Sequence, residues 1–174
     1  SWHWLPADTI PKRVETDRVP YDRWAADGWA EVTVGNARDD LAIAMQLADI
    51  RSRYDVQCIA FDRWQMARLM KLLSDEGIDL PMKDFVPGFK SYAAAVDAFE
   101  TAVLGRKMQH NNNPLLAWQA GNVIVETDPA GNRKPTKPKS FDRIDGIVAA
   151  IMACGAAATE EGPAVYRGEG LMWV

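Results

Sequence analysis

The sequence predicts an α/β fold, a parallel or mixed sheet wrapped by helices. Short β-rich stretches recur near positions 30, 57 and 85, and amphipathic helical stretches alternate with them. With 174 residues, 48% of them hydrophobic, the chain is long enough for one domain with a real core and too short for two comfortable ones.

Residues 1–5 (Ser-Trp-His-Trp-Leu) alternate loosely and read as the tail of a strand entering a loop at Pro6. Residues 11–20 are charged and read as irregular. Residues 20–28 form a short helix with Pro20 in its first turn and Gly28 at its end. Residues 29–34 are a strand closing at Gly35-Asn36. From 39 to 54, Leu41, Met45, Ala48 and Ile50 recur with charges between them, as on an amphipathic helix. Residues 56–61 are a nearly continuous apolar run of the kind that forms buried parallel strands, and the run ends in Asp62.

Residues 64–76 are helical, with Met66, Leu69, Met70 and Leu73 on one side and Gly77 as the stop. Residues 84–88 are a brief strand breaking into a turn, and 92–108 a long helix with Val96, Phe99 and Val103 in helical spacing. Asn113-Pro114 supplies a cap and a first-turn proline for a helix over 115–120. Residues 123–126 and the segment after the 128–132 turn predict a hairpin. A final helix follows. Residues 1–159 are expected to form the domain, and 160–174 a glycine-bearing tail.

The net charge of -4 and a pI of about 5.2 argue against a protein that coats nucleic acid non-specifically, but a local basic groove remains compatible with them. Cys58 and Cys154 lie in apolar runs without metal-ligand spacing and read as small reduced thiols. The longest apolar stretch, 147–158, is too short to span a membrane, so no membrane association is expected. Ser1 is neither a methionine nor the start of a basic leader, which reads as a cut within something longer. There is no GxxxxGK[ST] and no GxGxxG, so ATP is not bound by those routes. His3 and His110 read as surface or packing residues, and the seven tryptophans as core material.

The chemistry-bearing stretch is 137–153, where a basic, proline-spaced arm runs into a helix that is apolar almost all round. Asp142 and Asp145 are expected to share a face in its opening turns, with Ser140 as N-cap. Gly146 is expected to let the helix lie close to a strand. Asp62 sits at the carboxyl end of a strand, where sites form in such sheets, although an acid there can also be a simple cap. Carboxylates converging without a cysteine or histidine cluster form the ligand set of a hard cation such as Mg²⁺ or Mn²⁺. Two such ions about 4 Å apart activate water and stabilise a leaving oxygen in phosphodiester cleavage. Arg133, Lys134, Lys137 and Lys139, extended by Arg143, read either as a solvated loop or as a guide for a phosphate backbone.

Several stretches occur in a recognisable order: Arg18-Val19-Pro20-Tyr21-Asp22-Arg23-Trp24, Tyr54-Asp55-Val56 through Phe61-Asp62-Arg63-Trp64, Asn113-Pro114-Leu115-Leu116-Ala117-Trp118, Asn122-Val123-Ile124-Val125, and Lys137-Pro138-Lys139-Ser140 to Ile144-Asp145-Gly146-Ile147-Val148-Ala149. Together they resemble the C-terminal nuclease domain of the large terminase subunit of tailed double-stranded DNA phages, across nearly the whole chain. The terminal Val165 to Leu171 also looks like the end of such subunits. The resemblance implies a ribonuclease H-like mixed sheet flanked by helices. It further implies a metal-dependent endonuclease that cuts concatemeric viral DNA during packaging, in the cytoplasm of the infected bacterial host.

In that family three acids hold the metals; Asp62 matches the second and Asp145 the third, while Asp142 is a supporting candidate behind them. The first acid has no counterpart here, and its central strand is expected to lie before Ser1, so the chain alone is expected to cut weakly or not at all. The implied partners are double-stranded DNA, the portal protein, the small terminase subunit and an upstream ATPase domain of the same subunit. Two other readings compete. One is a non-catalytic DNA-holding or portal-docking domain, in which the basic arm matters and the acids do not. The other is a different ribonuclease H-like nuclease such as a junction resolvase, to be told apart by dimeric state and preference for branched DNA.

Overall fold

The computed structural model describes residues 1–64 and 66–159; the expected tail and its terminal motif lie outside the described residues. The elements in order are β1 (Trp4–Pro6), α1 (Ile10–Asp17), α2 (Tyr21–Ala26), β2 (Glu31–Thr33), α3 (Asp40–Arg53), β3 (Ile59–Asp62), α4 (Ala67–Asp75), β4 (Met82–Phe85), α5 (Phe89–Leu104), α6 (Pro114–Asn122), β5 (Val125–Thr127), β6 (Arg133–Pro135) and α7 (Asp145–Thr159). The class is mixed α/β, as expected. Among the described residues the strands are three or four residues long and pair as three two-stranded sheets, β1 with β2, β3 with β4 and β5 with β6, rather than as one sheet. β1 and β2 run parallel, and β5 and β6 form the predicted antiparallel hairpin.

The chain divides into two compact units. One comprises Trp2–Ile59 and Arg63–Lys83. Its core packs α3 against α4 through Ile43, Ala44, Leu69, Leu73 and Leu80. α3 starts where the sequence says it should, because the Asp39 carboxylate accepts hydrogen bonds from the Leu41 and Ala42 N–H groups at 3.1 and 3.0 Å. The neighbouring Asp40 is only 2% exposed and is compensated by Arg38 at 2.5 Å and Arg68 at 3.1 Å. One segment read as irregular is helical: α1 carries Pro11 in its first turn, where a missing N–H costs nothing, and Arg18 in a left-handed conformation ends it.

The other unit comprises Ser1, Ala60–Asp62 and the chain from Asp84 onward. Its core is α5 on α7, with Tyr92, Ala95, Val96, Ile147, Ile151 and Met152 buried together and Ala60, Phe85, Leu116 and Val123 packed around them. On α7, Ile147, Ile151 and Gly155 recur every fourth residue, so they form one row along the helix. A Cβ added at Gly155 would lie 2.5 Å from Ala95 Cβ and 3.1 Å from Ala95 Cα. A close helix–helix approach is therefore seen at Gly155, which the sequence reading did not single out.

Two further expectations change here. β3 is half-buried along its whole length rather than fully buried. The last helix begins at Asp145, later than expected, because residues 137–139 form a 3₁₀ turn and 140–144 are irregular. Ser140 is not its cap, and Asp142 and Asp145 do not share a helical face.

The α5–α7 approach yields a stability prediction. Gly155→Val is expected to lower unfolding free energy by about 1–3 kcal/mol, since rigid atoms must move to admit the side chain. Urea denaturation should show this, with Gly155→Ala in an Ala95→Gly background recovering most of the stability lost by Gly155→Ala alone. An unchanged midpoint for Gly155→Val would contradict the packing described.

Candidate active site

The candidate site is built around the start of α7 and the turn before it, and Asp62 at the end of β3 belongs to the same compact unit. Ile144 is 1% exposed and Ile147 4%, and these two anchors leave Asp145 between them facing solvent at 65%. The backbone around it is held mainly by α6. Gln119, buried on the same face of α6 as Leu115, accepts a hydrogen bond from the Gly146 N–H. Asn122 donates its side-chain amide to the Arg143 carbonyl at 3.2 Å, and its own carbonyl accepts from the Phe141 N–H at 3.2 Å. The Ser140 hydroxyl donates to the Thr136 carbonyl at 2.8 Å and accepts from the Ile124 N–H at 3.1 Å. Its real task is to tie the turn to the segment entering the hairpin.

Four of the expected site residues, Lys137, Asp142, Arg143 and Asp145, line one depression of about 440 Å³ together with Ser140 and Ile144. Lys137 and Asp145 form an ion pair within it. Asp142 accepts from the Arg143 N–H at 2.7 Å, which fixes its carboxylate against the turn. Asp62 is half-buried at the end of β3, and its charge is felt at Tyr92 of α5. Burial pushes the Tyr92 hydroxyl above its ordinary pKa, and the charge of Asp62 adds to that rise. Tyr92 shares a cluster with Ile147, two residues beyond Asp145, and with Ala60, two residues before Asp62.

The rest of the basic arm is occupied by acids of its own unit. Arg133 reaches Asp97 at 2.6 Å and Glu100 at 2.7 Å on α5. Lys134 and Lys139 converge on Glu126 at 3.1 and 2.7 Å, and Lys134 also sits over the Phe89 ring at 4.4 Å. These hydrogen bonds, that from Lys139 first, hold Glu126 below the usual carboxylate range. Its contribution to the hairpin is therefore present above that range and is lost as pH falls through the lowered value. The arm is a clamped hairpin edge rather than an open loop.

Gln119, Asn122, Glu126 and Tyr92 were not named as site residues from the sequence, although Asn122 opens one of the stretches that carry the resemblance. Gln119 carried a faint signal, a polar residue one turn after Leu115 on the buried face of a helix. The other three gain meaning only from partners distant in the chain. Among the described residues no three of His, Cys, Asp and Glu are arranged to hold a metal. The oxygens of Asp62 and Asp145 nonetheless suit a hard cation that keeps most of its water, and Asp145 already accepts a cationic partner. No helix among the described residues is long and apolar enough to cross a membrane.

The anchoring by Gln119 is testable. Gln119→Ala leaves the Gly146 N–H without its partner and is expected to cost about 1–2 kcal/mol. Hydrogen exchange should show faster opening in the first turn of α7 than in α5; equal protection of Gly146 in both proteins would contradict this.

Comparison with known proteins shows the family to which the chain belongs. The family described as terminase large subunit, endonuclease domain, matches residues 1–161. The large terminase subunit of Enterobacteria phage HK97 is 39% identical over 162 residues, 91% of this chain and 32% of that protein. Protein YmfN of Escherichia coli K12 is 28% identical over 160 residues, 88% of this chain and 35% of that protein. The chain thus spans about a third of the length of these relatives. The crystal structure of the HK97 large terminase superposes with a TM-score of 0.83 at 38% identity, covering 88% of this chain and 32% of that one. On the match over residues 1–161, the chain belongs to the family of terminase large subunit endonuclease domains.

Proposed function

We propose that this chain is a metal-dependent endonuclease domain of ribonuclease H-like type, cutting concatemeric double-stranded DNA for a viral packaging machine. The observation that supports the reading is that Asp62 and Asp145 belong to the same compact unit, whose core includes Ala60, two residues before Asp62, and Ile147, two residues after Asp145. Family membership supplies the reaction class.

Asp62 and Asp145 are the residues that would hold Mg²⁺ or Mn²⁺, which would activate water and stabilise the leaving oxygen. The chain's own contribution is positional. Ile144, Ile147 and the Gln119 hydrogen bond fix Asp145 at the mouth of the depression. Asp145 stands in the first turn of α7, where the open end of the helix faces the depression. Asp142 supports the turn from behind. Lys137 and Arg143 line the same depression and offer charge to a phosphodiester backbone. Arg133, Lys134 and Lys139 are placed further along the arm, where a strand leaving the site would pass. The working context would be the cytoplasm of an infected bacterium, with the portal protein, the small terminase subunit and an ATPase domain as partners.

In the full-length protein, Asp62→Asn and Asp145→Asn are each expected to reduce Mn²⁺-dependent cutting of duplex DNA by about 100-fold or more. Asp142→Asn should cost about tenfold, as expected for a group that orients a ligand rather than serving as one. Chelation of the metal should stop cutting by the unaltered protein. Near-normal cutting by both Asp62→Asn and Asp145→Asn would remove the proposal and favour a DNA-holding role.

A further inference from the structure

We propose that Lys137 is an exchangeable counter-ion of Asp145: a divalent cation displaces its ammonium from the carboxylate, and the freed lysine then takes a DNA phosphate at the same depression. The inference rests on Asp145 serving as a metal ligand, as proposed above.

The pattern of ion pairs singles this residue out. Arg133 is held by Asp97 and Glu100, while Lys134 and Lys139 are held by Glu126. None of those acids is a proposed ligand, so a metal at the site leaves these cations where they are. Lys137 instead pairs with Asp145 itself. Both side chains are 65% exposed, and pairs in such water-rich surroundings are weak. A doubly charged ion competes for the carboxylate on favourable terms, since attraction scales with charge.

The lysine cannot wander far once released. Its backbone sits in the 3₁₀ turn, where the Lys137 carbonyl accepts from the Ser140 N–H at 3.3 Å and the Thr136 carbonyl from the same group at 3.1 Å. The flexible four-carbon stem lets the ammonium swing while its root stays at the rim of the depression. Metal binding and DNA binding are thereby linked, and the link is reciprocal: DNA that engages Lys137 tightens metal binding by the same factor. In the metal-free protein the pair keeps the site neutral and its lysine unavailable to phosphate.

The test uses the full-length protein. Calorimetric titration with Mn²⁺ alone should show binding that is lost in Asp145→Asn. Lys137→Gln, which removes the competing charge, should bind Mn²⁺ about two- to fivefold more tightly, the range an exposed ion pair allows. Lys137→Arg keeps the pair and should behave as the unaltered protein. Duplex binding is then measured against salt in EDTA and in Ca²⁺. Passing from EDTA to Ca²⁺ should steepen the salt dependence by about one phosphate contact more in the unaltered protein than in Lys137→Gln.

Equal Mn²⁺ affinity in Lys137→Gln and the unaltered protein, with binding lost in Asp145→Asn, would overturn the exchange while leaving the metal reading intact. An equal change of salt dependence in the two proteins would overturn the hand-over to phosphate. Mn²⁺ binding that survives Asp145→Asn would remove the metal reading itself, and the exchange with it.

Discussion

The first turn of α7 has to meet two opposed demands. Ile144 and Ile147 must be driven into the core, and Asp145 between them must stay in water. Burying two isoleucines contributes on the order of 3–6 kcal/mol, whereas burying an unpaired carboxylate would cost far more. A helix onset at residue 145 reconciles the two, since the apolar row of α7 can face α5 from its first turn while the acid projects outward. Gln119 supplies the hydrogen bond that an otherwise unpaired N–H of this turn requires. The rest of the site inherits its geometry from this arrangement: the turn over 140–144, the depression, and the reach of Lys137.

The second constraint is charge. A stretch of four cations without an acid reads as a ready phosphate track, yet each cation has an acidic partner within its own unit. Such pairs are individually weak at an exposed surface, so they rank as resting positions rather than as strong supports of the fold. Their consequence is functional. The local field is close to neutral in the resting protein, and on the proposed reading affinity for DNA comes from exchanging these partners for phosphate. A nuclease that handles long DNA has reason to avoid a permanently open cationic groove, because such a groove would hold any duplex it met.

Much of the fold was legible because its signals are local. Asp39 and Asn113 cap α3 and α6 as their sequence positions suggest, Gly28 and Gly77 adopt the left-handed conformation that ends a helix, and the hairpin falls around its turn. α1 was missed because Pro11 reads as a breaker unless its place in the first turn is known. The onset of α7 was misjudged because Ser140 looks like a cap, when its hydroxyl is already committed to Thr136 and Ile124. The contact at Gly155 depends on Ala95, sixty residues earlier in the chain, and nothing in the local sequence announces it. Of the site, Asp62 and Asp145 were named from strand end, helix start and family resemblance. Their membership of one compact unit, and the pairing of Arg133 with Asp97 and Glu100, are long-range facts.

The central claim is that Asp62 and Asp145 together hold the catalytic cation. Anomalous scattering from a crystal of the full-length protein grown with Mn²⁺ tests it most directly. The account predicts a manganese peak with carboxylate oxygens of both residues at about 2.1–2.2 Å, as for other small hard divalent ions, and Lys137 turned away from Asp145. Manganese bound elsewhere, with the Lys137–Asp145 pair intact, would contradict it.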